Sequence, residues 1–190
     1  MSTVLDPQTQ RADLDDDALY EIVHGERREK PPMGVPQNLV CAALSYYLGS
    51  RVREQQLGTV VPETLFVLNQ ASDLQRRPDL AFVSRQRWRR PEQTAAWNVV
   101  PDLAVEVISP TNRADDVLDK IEEYFAAGVR LVWVVYCQRQ CIYIYRSPKD
   151  IRVLGPEDAL QGEDVIPDFS LRVAQLFEDL DEPADRTDRT

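Results

Sequence analysis

Two acidic residues and one lysine stand where the fold could bring them into one reactive site. Asp79 follows Pro78 at the start of an apolar segment, and Glu106 lies inside another, LAVEVI at 103–108. Two carboxylates on adjacent strands can hold a hard divalent cation such as Mg²⁺, with water and a phosphate completing its coordination. Lys120 lies in the helical segment after Glu106 and can pack back over the sheet. A lysine there could orient an attacking water and stabilise charge that develops on phosphorus.

Each of these residues also has a structural alternative. A buried Glu106 can be satisfied by an arginine or by backbone amides, and Asp79 can hydrogen-bond a turn. Lys120 can pair with Asp116 on the surface of their helix. Asp102, in a second Pro-Asp pair, shares a strand face with Glu106 but lies about 13 Å away, too far for one metal ion. Asp79 is therefore the better partner for Glu106.

Hydrophobic periodicity predicts the elements that would position these side chains. Residues 103–108 and the apolar run LVWVVY at 131–136 read as buried strands. Between them, residues 114–127 carry apolar side chains at helical spacing, with Gly128 placed to cap the helix. Such a strand–helix–strand unit predicts a right-handed crossover between parallel strands. The fold class expected for the chain is therefore α/β, with this unit at the centre of a mixed sheet.

Earlier and later segments complete the predicted domain. A hairpin is expected around His24 and Gly25, with His24 as a turn residue rather than a ligand. A helix is expected from Gln37 through the segment NLVCAALSYYLGSRVREQ, with apolar residues at helical spacing from Leu39 to Leu48 and with Gly49 or Gly58 helping to end it. We expect a loose acidic lead-in at residues 1–17, one domain at residues 18–177 and a disordered acidic tail at residues 178–190. A short amphipathic helix is expected at 171–180, across the end of that domain.

Composition and charge indicate the cellular compartment of the protein and the kinds of site that it could contain. No apolar run is long enough to span a membrane, and the N-terminus lacks the pattern of a signal peptide, so we expect a cytoplasmic protein. Three cysteines form no disulfide framework, and a single histidine makes a structural zinc site improbable. The net charge is −10, yet six arginines crowd one stretch and could contact phosphates: Arg76, Arg77, Arg85, Arg87, Arg89 and Arg90. A solvated arginine-rich loop explains that cluster equally well.

The order of several motifs resembles a known family. YEIVHGE, RPDLAFV, PDLAVEVISP, a helical lysine, AAGV and LVWVV follow one another along residues 18–155. This pattern is similar to a large bacterial family of restriction-endonuclease-like proteins, often cyanobacterial, within the PD-(D/E)XK nuclease superfamily. The resemblance implies a restriction-endonuclease-like mixed β-sheet flanked by α-helices and a divalent-metal site. It assigns Asp79 and Glu106 to the metal, Lys120 to catalysis and Glu21 to a supporting role.

Two positions depart from the family pattern. The superfamily lysine usually lies two residues after the second acid, where this chain has Ile108, so Lys120 would have to supply it from the helix. Many relatives carry a histidine where Gln37 stands, and glutamine can hydrogen-bond a phosphate or water but cannot titrate near neutral pH. The leading hypothesis is a homodimeric endonuclease that cleaves DNA with Mg²⁺, or with Mn²⁺ in its place. The alternative is a nuclease fold that has lost activity and serves as a binding or interaction module.

Overall fold

The computed structural model describes residues 18–180. Two α-helices lie in this range, α1 (Val35–Glu54) and α2 (Ala114–Ala127), together with three short 3-10 turns. The strands of the described range are β1 (Tyr20–Val23), β2 (Glu26–Glu29), β3 (Gly58–Pro62), β4 (Phe66–Asn69), β5 (Leu74–Arg76), β6 (Leu80–Ser84), β7 (Leu103–Ile108), β8 (Leu131–Tyr136), β9 (Cys141–Ser147), β10 (Asp150–Leu154), β11 (Ala159–Gln161) and β12 (Ser170–Arg172). Within this range, no helix combines the length and apolarity needed to cross a membrane.

A six-stranded mixed sheet forms the centre of the domain, in the order β10-β9-β8-β7-β6-β3. β7 and β8 pair in parallel and are joined through α2, which confirms the predicted strand–helix–strand unit. The other neighbours in this sheet pair antiparallel. β8 is apolar throughout because both faces of the sheet are covered: Trp133 packs in the core beneath α1, and Val132 and Val134 pack in the core beneath α2.

A second sheet, in the order β2-β1-β5-β4, begins with the predicted hairpin. His24 and Gly25 connect its first two strands with φ angles of 53° and 81°. Two consecutive left-handed residues match the twist of a two-residue hairpin, so His24 is a turn residue as expected. The pairing of Ile22 with Gln75 attaches β5 to this hairpin. Residues just after β5 therefore run from the second sheet into the central sheet.

α1 covers almost the whole segment in which a helix was expected. It begins at Val35, with Pro36 in the first turn, where the missing N–H removes no helical hydrogen bond. It continues through Gly49 and ends at Glu54, so the expectation that Gly49 ends the helix is wrong. A glycine inside a helix costs about 1 kcal/mol, and burial of Val52 against the core offsets that cost. The helix thereby runs along one whole side of the central sheet.

The C-terminal segment differs from prediction. Residues Ser170–Arg172 form β12, which pairs with β11, and 3-10 turns follow at Val173–Leu176 and Glu178–Leu180. The expected amphipathic helix at 171–180 is therefore wrong. Leu171 and Val173 are buried while the residue between them is exposed, and this period of two favours a strand over a helix. The predicted lead-in at 1–17 and the rest of the predicted tail, 181–190, lie outside the described residues.

Candidate active site

Asp79 and Glu106 occupy opposed positions on neighbouring strands. β6 and β7 pair antiparallel, with Leu80 opposite Val105. Continuing that register by one step places Asp79 opposite Glu106, and opposed residues have Cβ atoms about 5 Å apart on one face. Both side chains are buried, at 4% and 5% exposure. The structure thus brings together the two carboxylates that the sequence paired.

Glu106 faces the helix that follows its own strand. Its neighbours Val105 and Val107 pack in the core beneath α1, so the alternation of the strand turns Glu106 towards α2. There the Tyr124 hydroxyl donates a 2.6 Å hydrogen bond to Oε1 of Glu106, and the Lys120 ammonium lies 3.4 Å from Oε2. Burial raises the pKa of Glu106, and the neighbouring Asp79 charge adds to this, while Lys120 opposes it. The nearby positive charge of Lys120 therefore only partly offsets the cost of ionising Glu106 in this buried position.

Lys120 packs back over the sheet from α2, which is one of the two arrangements that the sequence left open. Its ammonium lies 3.0 Å from Oε1 of Glu21 as well as near Glu106. Burial alone would lower the pKa of Lys120, but the Glu106 and Glu21 carboxylates raise it above its ordinary value. The side chain is only 17% exposed, so Lys120 is not the surface residue of the alternative interpretation. It is a protonated hydrogen-bond donor directed into the site.

Glu21 holds Lys120 in this position. Oε1 accepts from the Arg77 backbone N–H at 3.0 Å, and Oε2 accepts from the Arg76 guanidinium at 2.7 Å. Burial opposes ionisation of Glu21, but Lys120 and Arg76 hold its pKa below the ordinary value. Arg76 is itself anchored by Glu123 of α2 at 2.5 Å. Because both of its oxygens have cationic or N–H partners, Glu21 is built to fix Lys120.

Asp79 has a cationic partner that the sequence analysis missed. Lys30, just after β2, donates to Oδ1 of Asp79 at 2.7 Å and to the Arg77 carbonyl at 3.0 Å. The other oxygen, Oδ2, accepts from the Val107 backbone N–H at 2.6 Å. One signal could have identified Lys30: the chain has only three lysines among its 22 basic residues. Two of the three, Lys30 and Lys120, lie in this site.

Gln37 completes the group of predicted residues. It lies in the first turn of α1, is 5% exposed and donates to the Ile108 carbonyl at 3.4 Å. A cleft of about 270 Å³ is lined by all five predicted site residues, Asp79, Glu106, Lys120, Glu21 and Gln37. Lys30 lines the same cleft. Gln37, in the first turn of α1, therefore borders the same cleft as the two carboxylates.

Asp102 and half of the arginine cluster make contacts within the domain. Asp102 is 1% exposed, accepts from the Ser84 N–H at 2.8 Å and pairs with Arg87 at 3.3 Å. It therefore lies at the opposite end of β6 from Asp79. Arg76 and Arg87 pair with carboxylates of the domain, which is the structural alternative to a phosphate contact at these two positions. Arg77 likewise donates to the carbonyl of Glu63.

The donor set fits a divalent cation. Six ion pairs link five carboxylates to three cationic side chains here, in the pairs Lys30–Glu63, Lys30–Asp79, Arg76–Glu21, Arg76–Glu123, Lys120–Glu21 and Lys120–Glu106. Two negative charges are thus unmatched within this network. Residues 18–180 contain no group of three His, Cys, Asp or Glu placed to hold a metal. Mg²⁺ is commonly held by one or two carboxylates plus water and phosphate, and a carboxylate has about four lone-pair positions. Asp79 and Glu106 therefore suit it.

Comparison with known proteins identifies the family and the fold of the chain. The family model Uma2, described as "Putative restriction endonuclease", matches residues 7–174. The chain is also similar to a crystal structure described as "a putative nuclease belonging to DUF820 from Anabaena variabilis ATCC 29413", with a TM-score of 0.74 at 19% identity. That alignment covers 84% of this chain and 89% of the other, so the two share a fold. No curated protein matches the chain. The mixed sheet with its flanking helices is restriction-endonuclease-like, as expected, and the chain belongs to the Uma2 family of putative restriction endonucleases.

Proposed function

We propose that this chain is a divalent-metal-dependent endonuclease that hydrolyses phosphodiester bonds of DNA. The observation that carries the proposal is the opposed placement of Asp79 and Glu106, with Lys120 beside Glu106. Membership of a family described as restriction endonucleases supports the same chemistry. Asp102 is excluded from this role because its carboxylate is already paired at the far end of β6.

Asp79 and Glu106 would hold Mg²⁺, and Mn²⁺ would substitute for it. When bound, the cation would supply Lewis-acid stabilisation of the charge that develops on the phosphate oxygens. Tyr124 orients one oxygen of Glu106, and the Val107 amide orients one oxygen of Asp79. Both carboxylates are therefore held in a defined orientation before a substrate binds, which is a requirement for an effective site.

Lys120 would act as a charged donor and not as a base. Its raised pKa keeps the ammonium protonated near neutral pH. From this position it would donate to the attacking water or to a phosphate oxygen, where a preorganised cation stabilises developing negative charge. Glu21 is a positioning residue in this scheme because it acts through Lys120. Gln37 would donate a hydrogen bond to phosphate or water at the cleft.

Two further features belong to the same proposal. Nucleases that cut both strands of a duplex commonly use two identical sites, so we infer a homodimer as the acting form. We also place the protein in the cytoplasm, where its three thiols, Cys41, Cys137 and Cys141, would stay reduced. All three are free in the structure, which supports this assignment.

The test is nicking of supercoiled plasmid by the purified protein with Mg²⁺ or Mn²⁺. Glu106→Ala and Lys120→Ala should each lower the nicking rate by at least about a hundredfold. Asp102→Asn is the matched control, since it alters a buried aspartate outside the cleft and should leave the rate unchanged. Equal nicking by all four proteins would reveal a contaminating nuclease and remove the support for this site.

The alternative is a nuclease fold that binds nucleic acid without hydrolysing it. Two observations favour it: Gln37 cannot titrate, and Lys30 already neutralises Asp79. Under this alternative the protein would bind DNA but release no cleaved product with either metal. Restoring the residue common in relatives, by Gln37→His, would then be the first change to assay for recovered cleavage.

A further inference from the structure

A second surface of the domain has the composition of a nucleic-acid contact. Trp88 is exposed at 43% of its surface, in the connection that follows β6. Two open grooves flank it, of about 440 and 330 Å³, and Trp88 lines both. Arg53 and Arg85 line the first groove, and Arg89 and Arg90 are the next exposed residues after Trp88. We name these five residues the Trp88 surface.

The arginines of the Trp88 surface have no carboxylate partner among residues 18–180. Every ion pair within that range involves other side chains, in contrast to Arg76 and Arg87. The Arg85 guanidinium donates to the side chain of Gln56, at 3.4 Å, and its backbone N–H donates to the Leu57 carbonyl at 2.8 Å. Arg89 donates to nearby backbone carbonyls at 2.9 and 3.1 Å. In a chain of net charge −10, a group of unpaired exposed arginines is complementary to an anionic ligand.

Trp88 is supported from beneath. Its backbone N–H donates to the Ser84 carbonyl at 2.9 Å, which ties the loop to the end of β6. Its ring meets Trp97 edge-on, with centroids 6.5 Å apart, and Trp97 in turn stacks on buried Phe66. The Trp97 indole N–H donates to the Arg89 carbonyl at 3.0 Å. These contacts hold the exposed Trp88 ring in one orientation. Binding a ligand therefore costs little additional side-chain entropy.

We propose that the Trp88 surface binds single-stranded nucleic acid, with a base stacked on Trp88 and phosphates contacted by the arginines. Aromatic stacking beside a basic groove is the means by which proteins bind unpaired strands, since paired bases present no free face. The ligand class rests on the proposed nuclease function, but the surface is distinct from the cleft. Gln37 at the cleft and Arg53 at the Trp88 surface are sixteen residues apart along α1, about 24 Å. That separation equals about seven stacked nucleotides.

Binding is measured on the whole chain in EDTA, so that cleavage and metal play no part. The probe is a fluorescein-labelled 12-nucleotide oligothymidylate, followed by anisotropy, with intrinsic tryptophan fluorescence as a second signal. Of the three tryptophans, Trp133 is fully buried and Trp97 lies against the Trp88 ring, so quenching by the oligonucleotide would come from exposed Trp88 and from Trp97 next to it. Trp88→Ala should weaken the Kd about tenfold and abolish most of the quenching. Tyr46→Ala, which removes an aromatic ring 68% exposed on α1, is the matched control and should change neither signal.

The salt dependence tests the arginines separately. Replacing Arg85, Arg89 and Arg90 together by alanine should reduce the slope of log K against log salt by about two, since each phosphate contact to a single strand contributes about 0.7. Circular dichroism of each variant confirms that it is folded. An oligomer of abasic sites of the same length should bind at least about fivefold more weakly than oligothymidylate, because it offers no base to stack.

Three outcomes would overturn the inference: an unchanged Kd in Trp88→Ala, equally tight binding of the abasic oligomer, or tighter binding of the matched duplex. A loss of dimer in Trp88→Ala without a change in Kd would identify the surface as a contact between copies of the chain, and the inference would fall. If the oligonucleotide binding fails these tests while Glu106→Ala still abolishes plasmid nicking, the proposed nuclease function is retained and only the proposal for the Trp88 surface is rejected. If binding depends on Trp88 but no plasmid is nicked, the Trp88 surface is retained as a binding site and the proposed nuclease function is rejected.

Discussion

Replacing Lys30 tests whether this lysine and the proposed metal ion share Asp79. Lys30 is 10% exposed and Asp79 5% exposed at the side chain, and their 2.7 Å contact is the shortest ion pair that either makes. Lys30→Met keeps most of the aliphatic stem and removes only the charge. We expect the variant to be less stable without metal and to respond more strongly to Mg²⁺.

The magnitude follows from what Asp79 would lose. Breaking a buried ion pair by removing one partner costs about 3–5 kcal/mol, because the other charge stays buried. Asp79 would keep the 2.6 Å hydrogen bond from the Val107 N–H, and the cleft gives water access to its other oxygen. We therefore expect a loss near the lower end, about 3 kcal/mol of the free energy of unfolding. A domain of ordinary stability, about 5–15 kcal/mol, would remain folded.

The assay is urea unfolding in EDTA and in saturating Mg²⁺. Ligand binding to the folded state stabilises it by RT ln(1 + [L]/Kd), so each tenfold gain in metal affinity appears as about 1.4 kcal/mol. Lys30→Met should gain more stability from Mg²⁺ than the parent does, and calorimetric titration should give a lower Kd. Lys149→Met is the matched control: this lysine is exposed in a turn, and the change should stay within about 0.5 kcal/mol.

A double-mutant cycle completes the test. Asp79→Asn removes the charge that Lys30 balances, so the two changes together should cost at least about 1 kcal/mol less than their sum. Additive losses would contradict a direct interaction between the two side chains. Equal Mg²⁺ affinity in Lys30→Met and the parent would refute the reasoning that Lys30 and the cation compete for Asp79.

Three further predictions follow from other buried groups. Asp102→Asn should lower the free energy of unfolding by about 2 kcal/mol, seen in urea titrations, because buried Asp102 loses its charged contacts with the half-exposed arginines Arg87 and Arg130, while metal-dependent nicking persists. Burial raises the pKa of Cys41 to about 12 and that of Cys137 to about 11, so a thiol reagent at pH 8 should label only half-buried Cys141 in the native protein. Burial raises the pKa of Glu106 above its ordinary value of 4.5, so its stabilisation is full below pH 4.5 and lost as pH rises through the raised value. Glu106→Gln cannot ionise, and its stability relative to the parent in EDTA should therefore increase from pH 4.5 upwards; a constant difference would contradict the raised pKa.

The pairing of the two carboxylates could be predicted because local patterns determine it. Strong apolar runs identified β6 and β7, and alternation along each strand assigns every side chain to a face. Asp79 and Glu106 then meet if the two strands are neighbours. Lys120 was predictable for a similar reason, since a crossover helix packs on the strand that it follows. Each of these inferences needs only the period of one element.

Lys30 and the end of α1 were not predictable in this way. Lys30 reaches Asp79 from 49 residues away in sequence, through a hairpin of the second sheet, and no local pattern encodes that contact. α1 passes through Gly49 because packing of Val52 outweighs the helix propensity of one residue. At 171–180, apolar spacing alone allowed a helix or a strand, and pairing with β11 decided between them. In the last two cases a tertiary contact overrode the local signal, and for Lys30 a tertiary contact formed where no local signal existed.

In the arginine cluster, the position of each residue in the fold, and not its type alone, decides what its side chain contacts. Arg76 lies in β5 with its side chain turned inward to Glu21, whereas Arg85, Arg89 and Arg90 lie beyond the end of β6 and face outward. The inward arginine helps to hold the charged network of the cleft, so its removal would act through folding and through the orientation of Lys120. The outward ones have no such internal partner and are available to a ligand. A run of like residues in sequence thus divides into two functions because the chain changes sheets within it.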